Sequence, residues 1–148
     1  MKTGVDVLRE IPFSSPDITQ IELERVSEVI SSGWLTHGKY TERFEELFCE
    51  LTGARYAISV SNCTAGLHLS CMAVGFRRGD EVIVPAQTHT ATAHAVELVG
   101  ATAVFADVNP QTGNIDTQDV TNKITDRTKG IIPVHMAGYP CKMDEIIE

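Results

Sequence analysis

The sequence predicts an α/β fold, a mostly parallel sheet with helices on both faces. Two observations carry this. From Tyr56 onward, four short apolar runs of strand length (YAISV, EVIV, TAVF and KGIIPV) alternate with segments of helical length and pattern. No internal repeat or low-complexity segment suggests another architecture. Strands that alternate with helices build parallel sheets, and such strands are apolar throughout because helices cover both faces.

Residues 1–10 read as a loose lead-in, and Pro12 and Pro16 as an extended segment. Asp17 or Thr19 is placed to cap a helix in which Ile18, Ile21, Val26, Val29 and Ile30 form an approximately helical apolar stripe, and Gly33 ends it. Gly33 to Lys39 (GWLTHGK) is a loop that holds the only tryptophan. Thr41 opens a second helix carrying Phe44, Leu47, Phe48 and Leu51, which Gly53 stops. Tyr56–Val60 is the first strand candidate and about Thr64–Val74 the next helix. GFRRGD is a turn, Glu81–Val84 a strand ended by Pro85, and Thr90–Val99 a helix stopped by Gly100. Thr102–Phe105 is a third strand, Asn109–Asn114 (NPQTGN) a loop and Thr117–Ile124 a short helix. Lys129–Val134 is a fourth strand, in which Pro133 removes a ladder donor near the end. The helix opened by Met143 runs for roughly one and a half turns, too short to stand as an ordinary helix. The chain therefore reads as a fragment, or a truncated product, of a longer α/β protein.

Composition narrows the function classes. With 20 acidic and 12 basic residues the net charge is -8, and no basic run is present. A broad nucleic-acid surface needs clustered Lys and Arg, so none is expected. No apolar stretch approaches membrane-spanning length, and the N-terminus MKTGVDVLRE lacks the apolar core of a signal peptide. The four cysteines form no CxxC pair, which fits a reduced, cytoplasmic protein. His89 and His94 are five apart, a poor spacing for two ligands on one helix face, so no metal site is expected.

Two turns carry the candidate chemistry. In open α/β sheets, ligands bind beyond the carboxyl ends of the strands. The turn after YAISV, SNCTAG, opens a helix there, and free N–H groups at a helix start suit an anion. Thr64 adds a hydroxyl, and Ala65 and Gly66 permit close approach. Neither GxGxxG nor GxxxxGK[ST] is present. On local features alone an ordinary cap by Asn62 or Thr64 is favoured. Cys63 at the helix start raises the possibility of a thiolate nucleophile, but His68 lies on a different helix face. Cys63 is therefore read as a small buried residue. The second turn, PAQTHTATA, reaches the same sheet edge and offers the planar ring of His89 among small residues. Together the turns suit a phosphorylated aromatic cofactor. His135 in PVHMAG reaches that edge too, with a strand-end hydrogen bond its favoured role.

Five segments appear in order: SGWLTHG (Ser32–Gly38), FEELFCELTGARYAISVSNCTAGLHLS (Phe44–Ser70), GDEVIVPAQTHTATAHAV (Gly79–Val96), GATAVFADVNPQTGNID (Gly100–Asp116) and TKGIIPVHMAGYPCKMDEI (Thr128–Ile146). From about Ile11 onward this set resembles the DegT/DnrJ/StrS family of pyridoxal-phosphate-dependent sugar-nucleotide aminotransferases. The resemblance implies part of a fold type I (aspartate-aminotransferase-like) large domain. Residues 1–54 would form an N-terminal arm and two helices, and residues 55–148 the first part of the pyridoxal-phosphate-binding domain. Further implications are a homodimer in the full-length form, and nucleotide-sugar and amino-acid substrates, with no nucleic-acid or membrane partner.

By the same resemblance, Thr64 and Ala65 hold the phosphate of pyridoxal 5'-phosphate through backbone N–H groups, with Cys63 packed in the same turn. His89 stands where the family places a ring that stacks on the pyridine. Trp34, Leu35 and Thr36 match a segment near the substrate pocket. Pyridoxal chemistry needs a Schiff-base lysine and an acid opposite the pyridine nitrogen. The family's positions for both lie beyond Glu148. Lys2, Lys39, Lys123, Lys129 and Lys142 match surface or loop positions, so no catalytic residue is expected within this chain. A sugar dehydratase of the same family, with histidine in place of that lysine, and a non-catalytic binding fragment are the alternative readings.

Overall fold

The computed structural model describes residue 12 and residues 14–147. The lead-in over residues 1–10, with Lys2, and the last residue lie outside them. The chain divides into two compact units, Met1–Ser59 and Val60–Glu148.

In the first unit, α1 spans Gln20–Ser31. Thr19 caps it by accepting the Ile21 N–H, while the Glu22 carboxylate accepts the N–H of Thr19. This reciprocal box satisfies donors that a helix start leaves open. Helix α2 spans Lys39–Thr52 and begins two residues before the predicted Thr41. The earlier start follows from Gly38, whose carbonyl accepts the Glu42 N–H. The Trp34 indole donates to the His37 carbonyl at 2.7 Å and lies so close to Gly38 that a Cβ there would stand 2.8 Å from the ring. Gly53 ends α2 in the left-handed conformation, φ 73. The predicted apolar stripe of α1 forms, but no residue of either helix is buried, and Ile21 is 65% exposed.

The predicted strand Tyr56–Val60 is not a strand. The segment has no ladder partner among the described residues, and Ile58 is 81% exposed. Apolar and β-branched composition favours extended backbone, but a strand also requires a second strand to bond to. The Ser59 N–H and hydroxyl instead donate to the Glu45 carboxylate, each at 2.7 Å.

The second unit begins with α3, Cys63–Val74, closed by Gly75 in the left-handed region. Its sheet has three strands rather than four: β1 (Glu81–Pro85), β2 (Thr102–Ala106) and β3 (Thr128–Ile131), in the order β2-β1-β3 and all parallel. Central β1 is buried along its whole length. Period-two alternation assigns its side chains to opposite faces. Val82 and Val84 pack with Cys71 of α3 and with Ala95 and Val96 of α4 (Ala91–Leu98). Ile83 packs with Val120 of α5 (Thr117–Lys123), Ile115 and Cys141, beside Met143 and Ile146 of α6 (Met143–Ile147). Helices thus cover both faces. Strand β3 is shifted and shortened relative to the predicted Lys129–Val134. Ile132 still donates to the Ile83 carbonyl, and the ladder ends where Pro133 has no N–H.

Candidate functional site

At the carboxyl edge of this sheet lies a cavity of about 580 Å³. Three segments of the second unit line it: Asn62–Thr64 at the start of α3, Thr88–Thr92 at the start of α4, and Ile132–Ala137 beyond β3. Its size is within the range of small-molecule pockets, about 300–1,000 Å³.

Asn62 is the N-cap of α3, and its Oδ1 accepts the Ala65 N–H at 2.9 Å. The N–H groups of Cys63 and Thr64, in the first turn, have no intrahelical acceptor. They and the Thr64 hydroxyl are the donors a helix start offers to an anion. Of the residues singled out in this turn, Cys63 and Thr64 line the cavity, whereas Ala65 lies outside its wall with its N–H engaged. Cys63 is exposed, which corrects its reading as a buried residue. As the first residue of α3 it precedes the turns that bury Cys71 against the sheet. Burial pushes the Cys71 thiol above the usual cysteine value.

His89 takes the place of a side-chain cap for α4. Its Nδ1 accepts the Ala91 N–H at 3.2 Å, while Thr90 makes no side-chain cap bond. The imidazole is thereby fixed at the cavity with Nε2 as its remaining polar atom. Beside it the hydroxyls of Thr88 and Thr92 share a hydrogen bond of 2.9 Å. His135 is held in the same manner, its Nδ1 accepting the Cys141 N–H at 3.0 Å. The bond closes the turn that follows β3 and does not cap the strand end itself, and the residue also lines the cavity.

The turn after His135 contains the only non-glycine residue with positive φ among the described residues, Ala137 at φ 50. A left-handed alanine costs roughly 1–2 kcal/mol and persists only where its surroundings hold it. Backbone bonds from Gly138 to His135 and from Tyr139 to Met136 close this turn, and Asn114 bonds to either side of Ala137. Asn114 is 5% exposed, and its Oδ1 accepts the Met136 N–H while Nδ2 donates to the Tyr139 and Pro140 carbonyls, all within 3.0 Å. In the sequence Asn114 is the last residue of the polar loop NPQTGN. Its bonds reach residues 22–26 positions later, so no local signal marks it.

Trp34, Leu35 and Thr36 line a separate cavity of about 430 Å³ within the first unit, together with Lys39 and Tyr40. The Tyr40 hydroxyl donates to the Glu28 carboxylate at 2.5 Å. That bond lowers the Glu28 pKa, an effect Arg25 adds to, and raises that of the Tyr40 phenol, which Arg25 opposes. No lysine lines the 580 Å³ cavity, and no cluster of three metal-ligating side chains occurs among the described residues. No helix of the described residues is long and apolar enough to cross a membrane.

The chain is similar to proteins of one family. It is 44% identical over 138 residues to an uncharacterised protein of Methanocaldococcus jannaschii, covering 93% of this chain and 36% of that one. The solved aminotransferase of Psychrobacter cryohalolentis is 42% identical, with a TM-score of 0.85 over 92% of this chain and 35% of that one. A GDP-4-keto-6-deoxymannose-3-dehydratase, solved with a trapped PLP-glutamate geminal diamine, is 31% identical, with a TM-score of 0.85 over 93% of this chain and 37% of that one. The chain thus spans about a third of the length of the relatives it matches. Residues 16–148 match the family profile itself, and the chain belongs to the DegT/DnrJ/EryC1/StrS aminotransferase family.

Proposed function

We propose that this chain supplies the cofactor-phosphate half of a pyridoxal-phosphate site in a sugar aminotransferase. The observation that carries this reading is the convergence of two helix starts and a strand-end turn on one cavity. The N–H groups of Cys63 and Thr64, with the Thr64 hydroxyl, would hold the phosphate. His89, tethered through Nδ1, would offer its planar face to the pyridine ring. Thr88, Thr92 and His135 would supply polar contacts around it. Ala65 belongs to this set only where its N–H is released from Asn62. The residues present fit the group in size and in donor chemistry. Bound there, pyridoxal phosphate supplies an electron sink for moving an amino group, while the protein binds and orients it.

For the full protein, the family resemblance supports a homodimer in the cytoplasm that takes an amino group from glutamate and passes it to a nucleotide-linked keto-sugar. Trp34, Leu35 and Thr36 would contact that substrate. The arm and two helices over residues 1–54, followed by the cofactor domain from residue 55, are part of the same proposal. No lysine lines the cavity, so the chain alone should transfer no amino group.

Titrating the purified chain with pyridoxamine 5'-phosphate tests this reading, because that amine forms no stray imines with surface lysines. Thr64→Ala removes a hydroxyl hydrogen bond to a charged group, about 1.5–3 kcal/mol, so affinity should fall about tenfold or more, for inorganic phosphate as well. Unchanged affinity for both would overturn the assignment. The similarity to a sugar dehydratase favours a second reading, removal of a hydroxyl from the sugar instead of amination. In the full protein, lysine at the family's Schiff-base position supports the aminotransferase and histidine supports the dehydratase.

A further inference from the structure

We propose that Asn114 is a positioning residue for the cavity, acting through the turn His135–Cys141 and touching no ligand itself; this rests on the cofactor reading above. Asn114 contributes no atom to the cavity wall, yet His135, Met136 and Ala137 all do. Three bonds from one buried carboxamide fix both ends of that turn: Met136 N–H at its start, and the Tyr139 and Pro140 carbonyls at its end. Asn114 is itself anchored, its carbonyl accepting the Asn109 N–H at 2.8 Å and its own N–H donating to Thr112 Oγ1. Across the turn, His135 Nδ1 accepts from Cys141 N–H and the Cys141 thiol donates to the Val134 carbonyl. The ring of His135 and the left-handed Ala137 are therefore set by a scaffold whose hub is Asn114.

An aspartate at this position keeps the shape but turns a carboxylate oxygen toward two carbonyl oxygens that now receive a donor. The Met136 bond survives and the other two are lost. Asn114 makes no hydrogen bond to α3, so the phosphate-binding end of the cavity should be untouched. Ala137→Gly, in contrast, removes the need for the turn to be forced, because glycine adopts positive φ without a Cβ penalty.

The test measures binding of pyridoxamine 5'-phosphate and of inorganic phosphate to the wild-type chain, N114D, A137G and N114D/A137G. For N114D the expected result is about a tenfold loss of pyridoxamine phosphate affinity, with inorganic phosphate changed by less than about twofold. N114D/A137G should recover most of the loss, and it is the variant read if N114D alone does not fold. Equal pyridoxamine phosphate affinity in wild type and N114D overturns the role of Asn114 and leaves the cofactor reading standing. Parallel loss of both ligands, or no recovery in the double variant, also overturns it, since that is what general destabilisation produces. A wild-type chain that binds neither ligand overturns the cofactor reading and this proposal with it.

Discussion

Replacing Asn62 by alanine should weaken the free chain and strengthen its hold on a phosphate. Asn62 Oδ1 accepts the Ala65 N–H at 2.9 Å, so the substitution removes the side-chain cap of α3. Losing an Asn cap costs about 1 kcal/mol, within a range of about 0.5–2. For a unit of this size that corresponds to a fall in Tm of roughly 4–8 °C. The freed Ala65 N–H then joins those of Cys63 and Thr64 at the helix start, where all three are open to an anion. A hydrogen bond to a charged group contributes about 1.5–3 kcal/mol, so pyridoxamine 5'-phosphate should bind N62A about tenfold tighter than wild type. Thermal melts with and without saturating ligand read both effects, because a ligand that binds only the folded state raises Tm by mass action. The Tm gap between variant and wild type should narrow as ligand is added. An N62A chain that melts with the wild type refutes the cap. One that binds pyridoxamine phosphate more weakly refutes the competition and makes Asn62 a contributor to binding.

Gly38→Ala places a Cβ 2.8 Å from the Trp34 ring in a backbone that otherwise accepts any residue, so the indole should be displaced from its bond to the His37 carbonyl. Trp34 is the only tryptophan, and a shift in its fluorescence emission reads this; an unshifted spectrum shows that the loop does not depend on that contact. Glu45 accepts two hydrogen bonds from Ser59, side chain first, which hold its pKa below the ordinary glutamate value of about 4.3. A depressed carboxylate contributes stability that is complete above the ordinary value and is lost as pH falls through the lower one. Exchange protection of the Ser59 amide should therefore stay level from pH 7 down to the ordinary glutamate value and drop only below it in wild type, while Glu45→Gln shows no such step.

Most of the second unit is legible in its sequence because each element is locally signed. Gly75 and Gly100 stand where helices stop or turns need positive φ, and Pro133 marks where a ladder loses its donors. EVIV is buried on both faces, as an uninterrupted apolar run in a parallel sheet must be. YAISV carries the same signal and fails, because pairing is a relation between two segments and composition describes only one. The stripe of α1 shows the same limit. Its helical period is present and its capping box forms, yet Ile21, Val26 and Ile30 remain exposed. Periodicity states which face a helix would bury and says nothing of what covers it.

The site divides along the same line. The SNCTAG turn signals free N–H groups, but a cap and an anion compete for the same donors, and local sequence cannot rank them. The structure gives one N–H, that of Ala65, to the Asn62 cap and leaves those of Cys63 and Thr64 without an intrahelical acceptor. The cap and the donors an anion would need are therefore not exclusive, because they fall on successive residues of one turn. His89 and His135 extend this. Each uses Nδ1 to satisfy a backbone N–H that would otherwise be orphaned, and each still presents a ring to the cavity. A structural hydrogen bond is thus no argument against a ligand contact for an imidazole, because fixing one nitrogen is what orients the other. Asn114 completes the pattern from outside the wall, where burial and three long-range bonds, invisible to any local motif, decide the shape of the turn that carries His135.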